Sequence, residues 1–349
     1  MASEKEQLIS ELRRRISNVE PLPEEPDFAT SEETLARYLK SRDWKLDEAE
    51  KLLRNTIEYR RKTRPLHSDC VWCHDRPGYH SMRQVGFDEV GRPVIYSNFA
   101  QAATHRNTME DSICHVIYLI ENAKITMKPG ISTWVFIIDC TGMTLNSCNP
   151  KLGYGVTQIL ANHYPERLGM VLCINHSPVF HGVWKAIKVF LHQNTVVKMK
   201  MIRSKRKIAQ TFSKYFSDEL SDWMLAEIKV NKQRPLPRSQ ACFWNGPSDT
   251  GSHDPRGCQS YVAQFIETFP LNSRVPMKRV HKPHPNIVDS LAGNVEIVQA
   301  SPDEIRERTR AETEAVTCSD SDDEIQDGEH DLTISEEFQI PHDAVHLST

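Results

Sequence analysis

A chain of 349 residues is long enough for one large domain or two ordinary ones with a substantial core. Apolar residues make up 39% of it, no apolar run approaches the length of a membrane span, and Met1-Ala-Ser-Glu-Lys-Glu lacks a secretory apolar segment. A spanning protein is therefore not expected, and any membrane role is expected to be peripheral. The net charge of −4 conceals an asymmetry, because residues 301–349 hold 15 acids against only Arg306, Arg308 and Arg310. The remaining body is basic, which suits an anionic partner such as a membrane surface or nucleic acid. Nine cysteines without an export signal are expected to be reduced thiols in a cytoplasmic setting.

In chain order, Leu8, Leu12 and Ile16 recur at helical spacing within residues 1–20, and Pro21, Pro23 and Pro26 then break the chain. Ser31 followed by Glu33 and Thr34 marks a helix start, with Leu35, Tyr38, Leu39 and Trp44 on one face. A further helix opens at Leu46 and reads through Leu52, Leu53 and Ile57 to Arg61, so the N-terminal part is expected to be a small helical bundle. From Gly91-Arg-Pro-Val-Ile-Tyr96 the pattern changes to a short buried strand, followed by a helix over Met109 to Thr126 and a second strand over Thr133 to Asp139. Residues 150–162 read as helix, Gly169 to Asn175 as a third strand, and Val183 to Leu191 as helix. Thr195 to Lys200 either extends that helix or begins a strand, and Leu220 to Ile228 is a last helix. Strands alternating with helices predict an α/β sheet with buried strands. Beyond Arg234-Pro-Leu-Pro237 the signals fade, and Ser319-Asp-Ser-Asp-Asp-Glu324 has the composition of disorder.

Catalytic signatures are missing: no nucleophile elbow, phosphate-binding Gly-rich loop or His-Glu-x-x-His occurs. Asp139 ends an apolar strand, where chemistry is often placed, but it reads better as a cap on the turn at Thr141-Gly142. His176 and His181 have no paired nucleophile and read as surface or turn residues. Cys70-Val-Trp-Cys73-His74 matches a haem-attachment pattern, and Cys173-Ile-Asn-His176 is the other short Cys/His spacing. Incidental or buried thiols are the expected reading of both, with no metal. Two apolar segments carry Glu166, Thr195 and Lys198, whose burial is costly unless a partner satisfies them. After the apolar stretch Trp184 to Leu191 come Lys198, Lys200, Arg203, Lys205, Arg206 and Lys207, a combination that suits anionic lipid headgroups at about 1 kcal/mol per base. Nucleic acid is not expected, because helix-turn-helix, zinc-finger and aromatic-basic signatures are absent.

Several ordered motifs together resemble the CRAL-TRIO lipid-transfer family over residues 30–230. These are Leu35-Ala-Arg-Tyr-Leu-Lys-Ser-Arg-Asp-Trp44, Gly91-Arg-Pro-Val94, Tyr164-Pro-Glu-Arg-Leu-Gly169 and Phe180 to Leu191. The resemblance implies an N-terminal helical bundle followed by an α/β domain with a mostly parallel sheet and a mobile gating helix over a one-lipid pocket. The Tyr-Pro-Glu-Arg-Leu-Gly form is similar to the phosphatidylinositol-transfer branch. In that branch the headgroup positions correspond to Arg42, Glu166, Thr195 and Lys198, two cations for phosphate and two acceptors for inositol hydroxyls. Asp43 beside Arg42, and Trp134 and Phe136 where hydroxyl residues contact a choline lipid, depart from that pattern. The implied organisation is an N-terminal helix and Pro-rich link (1–30), a helical bundle (31–75), a lipid-binding domain (76–245), a Pro/Gly/Ser-rich extension (246–300) and an acidic disordered tail (301–349).

The function this implies is non-catalytic binding of one phospholipid, phosphatidylinositol, and its transfer or presentation between membranes, with no cofactor besides the lipid. Residues 184–200 form the expected gate, and Lys200, Arg203, Lys205, Arg206 and Lys207 form the expected surface for transient docking on an anionic membrane. Alternatives are a carrier or sensor of another hydrophobic ligand, such as a sterol, tocopherol or retinoid, or a lipid-gated interaction module using residues 246–349 for a protein partner. A gate has a physical reason: two acyl chains expose about 30 methylenes at roughly 0.8 kcal/mol each, so transfer through water is opposed by more than about 20 kcal/mol. The acidic tail is expected to compete with membrane for the basic run, more so when Ser319 or Ser321 is phosphorylated.

Overall fold

The computed structural model describes residues 4–267, apart from 69, 71–72, 74–77, 102–107, 145–149, 189–192, 248 and 250. The expected extension beyond 267 and the acidic tail lie outside the described residues, as do Phe190 and Leu191 of the expected gate.

Three helices open the chain: α1 (Glu4–Arg15), α2 (Glu32–Lys40) and α3 (Leu46–Thr63). Ser31 caps α2 by accepting the Thr34 amide, and acids occupy the first turn of α2 where the helix dipole favours them. The apolar stripes of the three helices meet in one core of Ile9, Leu12, Leu35, Tyr38, Leu39, Leu52, Leu53 and Ile57.

The sheet follows as β1 (Arg83–Phe87), β2 (Pro93–Asn98), β3 (Trp134–Asp139), β4 (Leu168–Ile174) and β5 (Met199–Ile202), in that spatial order. β1 and β2 are antiparallel, and every other pairing is parallel. Gly91, at φ 90°, makes the turn between β1 and β2, where Asp88 Oδ1 accepts the amides of Val90 and Arg92. The sequence pattern identifies the Gly91 strand as the first; in the structure it is the second. The main helices between and after the strands are α4 (Met109–Thr126), α5 (Pro150–His163), α6 (Pro178–Lys188), the short α7 (Gln193–Val196), α8 (Lys205–Tyr215) and α9 (Asp218–Asn231). Thr108 and Asp111 form a reciprocal capping box at the start of α4.

Strand residues alternate between two cores. Val94, Tyr96, Val135, Ile137, Met170, Leu172 and Ile174 face α8 and α9 through Ile208, Phe212, Phe216, Leu220 and Met224. Ile95, Trp134, Phe136, Val171 and Cys173 face the other way, against Val116, Leu119, Ile120 and Ala123 of α4. Burial of both faces is why the central strands read as continuous apolar runs. The first core continues past residue 245, since Cys258, Tyr261, Val262 and Ile266 pack into it.

Candidate functional site

The hexapeptide Tyr164 to Gly169 joins α5 to β4, and most of its positions have a local reason. The Tyr164 hydroxyl donates to Glu121 Oε1 at 2.8 Å, within a buried cluster where Glu121 also accepts from Arg60 at 3.0 Å and Lys124 at 2.7 Å. Burial alone would push the Glu121 carboxyl up; the charges of Lys124 and Arg60 outweigh it and hold the group at about 2. Arg60 belongs to α3 and Glu121 to α4, so this cluster ties the helical bundle to the sheet domain. The Pro165 carbonyl accepts from Arg37 of α2 at 3.4 Å. Glu166 turns the chain through a left-handed φ of 56°, and Arg167 donates to the Ser132 carbonyl at 2.9 Å. At Gly169 a Cβ would lie 2.9 Å from the Trp134 carbonyl and from the Arg92 guanidinium, so only glycine lets β4 seat against β3.

Around Glu166 the structure brings together two of the expected headgroup residues. Lys198 Nζ lies 3.7 Å from the Glu166 carboxylate, with the Lys198 amide donating to the Thr195 carbonyl at 3.1 Å. Thr195 therefore sits one turn before Lys198, at the entry to β5, and is half-buried. The nearer cation is one the sequence pattern did not single out: Lys40, at the end of α2, reaches Glu166 at 3.0 Å. Arg42, the expected second cation, instead donates to the Ser41 carbonyl at 3.1 Å. Arg37 and Arg167 add two more guanidiniums, sharing the exposed Glu33 at 3.7 and 3.6 Å. Burial and the neighbouring Arg167 charge push Arg37 down to about 10, and its buried Nε has no hydrogen-bond partner among the described residues. Four cations thus meet two carboxylates at the N-terminal edge of β4 and β5, which gives the site an unbalanced positive character.

An apolar face lies beside this cluster. Under α4 it is fully buried, but toward β5 burial is partial: Ile138, Met199 and Met201 are only half-buried, as are Val156, Ile159 and Leu160 of α5 and Phe180 of α6. Within the expected gate, Trp184 is half-buried while Lys185 and Lys188 are exposed.

The expected docking residues divide into two groups. Lys200 donates to the Tyr215 hydroxyl at 2.6 Å and lies over that ring, 4.3 Å from its centre. Arg203, Lys205, Arg206 and Lys207 are exposed, and the last three form the first turn of α8. Bases at that end oppose the helix dipole, at roughly 0.3–1 kcal/mol each, so helix stability does not explain them.

Asp139 is a structural hub. Its Oδ2 accepts from Tyr96 at 2.9 Å and Asn98 at 2.7 Å, and its Oδ1 from the Thr141 amide at 3.1 Å, the Thr141 hydroxyl at 2.8 Å and Asn175 at 2.9 Å. With both oxygens so occupied, it closes the strand ends rather than serving as a base. His176 and His181 stack on each other, with ring centres 5.8 Å apart. Among the described residues, one group of side chains is close enough together to hold a metal ion: Cys70, Cys73, His80 and His115, clustered on the α4 side of the sheet. Among the described residues, no helix is long and apolar enough to cross a membrane.

Comparison with known proteins matches residues 80–221 to the CRAL/TRIO domain. A CRAL-TRIO domain-containing protein of Schizosaccharomyces pombe is 31% identical over 170 residues, covering 48% of this chain and 17% of that protein. The SEC14 cytosolic factor of Yarrowia lipolytica is 26% identical over 230 residues, covering 59% of this chain and 45% of the relative. Phosphatidylinositol transfer protein PDR17 of Saccharomyces cerevisiae is 25% identical over 174 residues, covering 46% and 49%. The chain thus spans less than half the length of each of these relatives. The sheet, the hexapeptide that seats β4 and the family match agree, and the chain carries a CRAL/TRIO domain across residues 80–221.

Proposed function

We propose that this chain is a non-catalytic carrier that holds one phospholipid, phosphatidylinositol, and transfers or presents it between membranes. The observation that carries this reading is a single juxtaposition: a half-buried apolar face under α5 and α6, beside a cluster of cations around Glu166. The apolar face suits acyl chains. The cations suit a phosphate, with Lys198 and Lys40 as its partners and Arg42 as a third once it leaves the Ser41 carbonyl, while Glu166 accepts from sugar hydroxyls and Thr195 accepts from or donates to them. The likeness to a phosphatidylinositol transfer protein of Saccharomyces cerevisiae supports this reading.

Release requires opening; of the expected gate at residues 184–200, Met199 and Lys200 are paired in β5, so the part before β5 is the proposed moving element. Arg203, Lys205, Arg206 and Lys207 are the proposed contact with an anionic membrane, each base adding about 1 kcal/mol near such a surface. Lys200, already held by Tyr215, positions α8 against β5 in this scheme. The protein so pictured is cytoplasmic and peripherally membrane-associated, with residues 246–349 open to a protein partner.

A second reading, a carrier of another hydrophobic ligand, rests on a specific observation. Glu166 is already neutralised by Lys40 and Lys198, so it needs no headgroup. Transfer of labelled phosphatidylinositol between donor and acceptor vesicles separates the two. Lys198→Ala removes one charge-assisted contact, about 1.5–3 kcal/mol, and should slow phosphatidylinositol transfer at least about tenfold. Equal transfer by both proteins sinks the headgroup assignment.

A further inference from the structure

Four side chains outside the lipid site converge on one point. The Cys73 amide donates to the Cys70 carbonyl at 3.0 Å. His80 stands just before β1, and His115 projects from α4. All four are buried, and their Sγ and imidazole nitrogen atoms lie within 4.8 Å of one another. The resolved edges are Cys70 Sγ to His80 Nδ1 at 3.5 Å, Cys73 Sγ to His80 Nδ1 at 3.4 Å, and Cys73 Sγ to His115 Nδ1 at 3.6 Å. A tetrahedral zinc ion with its usual bonds to sulfur and nitrogen places those atoms about 3.5 Å apart. The three distances are those of a tetrahedron's edges.

We propose that Cys70, Cys73, His80 and His115 form a structural zinc site. Donor chemistry selects the metal: two thiolates with two imidazoles in a tetrahedron suit zinc, and a set this compact suits one ion. With four protein ligands the site has no open position, so its role is structural. The outer contacts agree, since His115 Nε2 meets the Met82 carbonyl at 3.1 Å, which leaves Nδ1 to face the cysteines. His80 is buried, and its Nε2 has no hydrogen-bond partner among the described residues. The two rings now stack with centres 4.1 Å apart and planes at 16°, so one ion cannot lie in both planes. Binding therefore turns one imidazole about χ2, and His80 is the freer ring because His115 is held by Met82. Such an ion would pin the connector between the helical bundle and β1 onto α4, and with it the α4 face of the sheet. Local spacing alone suggests incidental thiols because the two histidines lie 7 and 42 positions from Cys73.

The test uses the full chain, purified without metal-affinity resin from zinc-replete cells, with metal counted by inductively coupled plasma mass spectrometry. About one zinc per chain is expected, falling below about a tenth in Cys73→Ser and His115→Leu, and restored in His115→Cys, which keeps a ligand. Because a misfolded variant would lose metal for another reason, wild-type protein is also stripped with a chelator under reducing conditions and refilled with Co2+. Intense visible bands of tetrahedral thiolate-bound cobalt, and a melting temperature lowered by stripping and recovered with Zn2+, support the site. Wild-type protein with no metal and no uptake of Zn2+ or Co2+ overturns it. So does iron or copper at one per chain, or a Cys70–Cys73 disulfide in protein isolated without reductant.

Discussion

Glu121→Gln cuts the link between the helical bundle and the sheet domain. Arg60 and Glu121 are each only 2% exposed and lie 3.0 Å apart, and the Lys124 ammonium and Tyr164 hydroxyl complete the cluster. Glutamine keeps the shape and an acceptor for Tyr164, but it removes the charge and leaves buried Arg60 to Glu25 alone. Removing one partner of a buried pair costs about 3–5 kcal/mol. The carboxyl's displacement from its ordinary 4.5 to about 2 gives, at about 1.4 kcal/mol per unit, a contribution on the order of 3 kcal/mol at neutral pH. The two routes agree.

The assay is urea unfolding followed by tryptophan fluorescence and circular dichroism, comparing both proteins from pH 7 downward. The sign is fixed by the direction of the shift. A depressed folded-state value means that the unfolded chain binds the proton first on acidification. The contribution is therefore complete above about pH 4.5 and disappears as pH falls toward 2. The variant should be about 3 kcal/mol less stable at pH 7, with the gap closing on acidification. A loss under about 1 kcal/mol, or a gap that does not vary with pH, refutes the account of this cluster.

Three other outcomes follow from the structure. Gly169→Ala forces a methyl against the Trp134 carbonyl and should cost about 1–3 kcal/mol in urea unfolding; a neutral change means that β4 does not seat as described. Replacing Lys205, Arg206 and Lys207 by Glu should raise the melting temperature by relieving the helix dipole while weakening flotation with anionic vesicles, whereas Lys200→Ala should leave vesicle binding unchanged. Deleting residues 301–349, which remove far more acid than base, should strengthen binding to the same vesicles, and unchanged binding rejects competition by the tail.

The parts of the fold legible in the sequence were those whose stability is local or apolar. β3 and β4 read as continuous apolar runs because both faces are covered, and α4 reads over Met109 to Thr126. β1 was not legible, because Arg-Gln-Val-Gly-Phe looks polar. Arg83 is buried, with Glu227, 144 positions away, and the Pro255 carbonyl, 172 positions away, among the groups that receive it. Burial pushes the Glu227 carboxyl up, but the His253 hydrogen bond and the Arg83 charge hold it below its ordinary value. α8 is hidden by its own first turn: the bases at 205–207 read as an exposed basic run, while Ile208 and Phe212, four apart, carry the helix into the core. Around the site, Glu166 and Lys198 were visible as polar residues in apolar stretches. Lys40 was not, since only the packing of α2 against the Glu166 turn brings it to 3.0 Å.

The most direct measurement of the central claim is the identity of the lipid the protein selects. Purified protein is mixed with vesicles containing phosphatidylinositol, phosphatidylcholine and sterol, re-isolated, and its bound lipid identified by mass spectrometry, with Lys198→Ala alongside. Phosphatidylinositol bound by the wild type and lost or strongly reduced in the variant is the predicted result. A sterol or other apolar ligand retained equally by both, or no lipid at all, contradicts it.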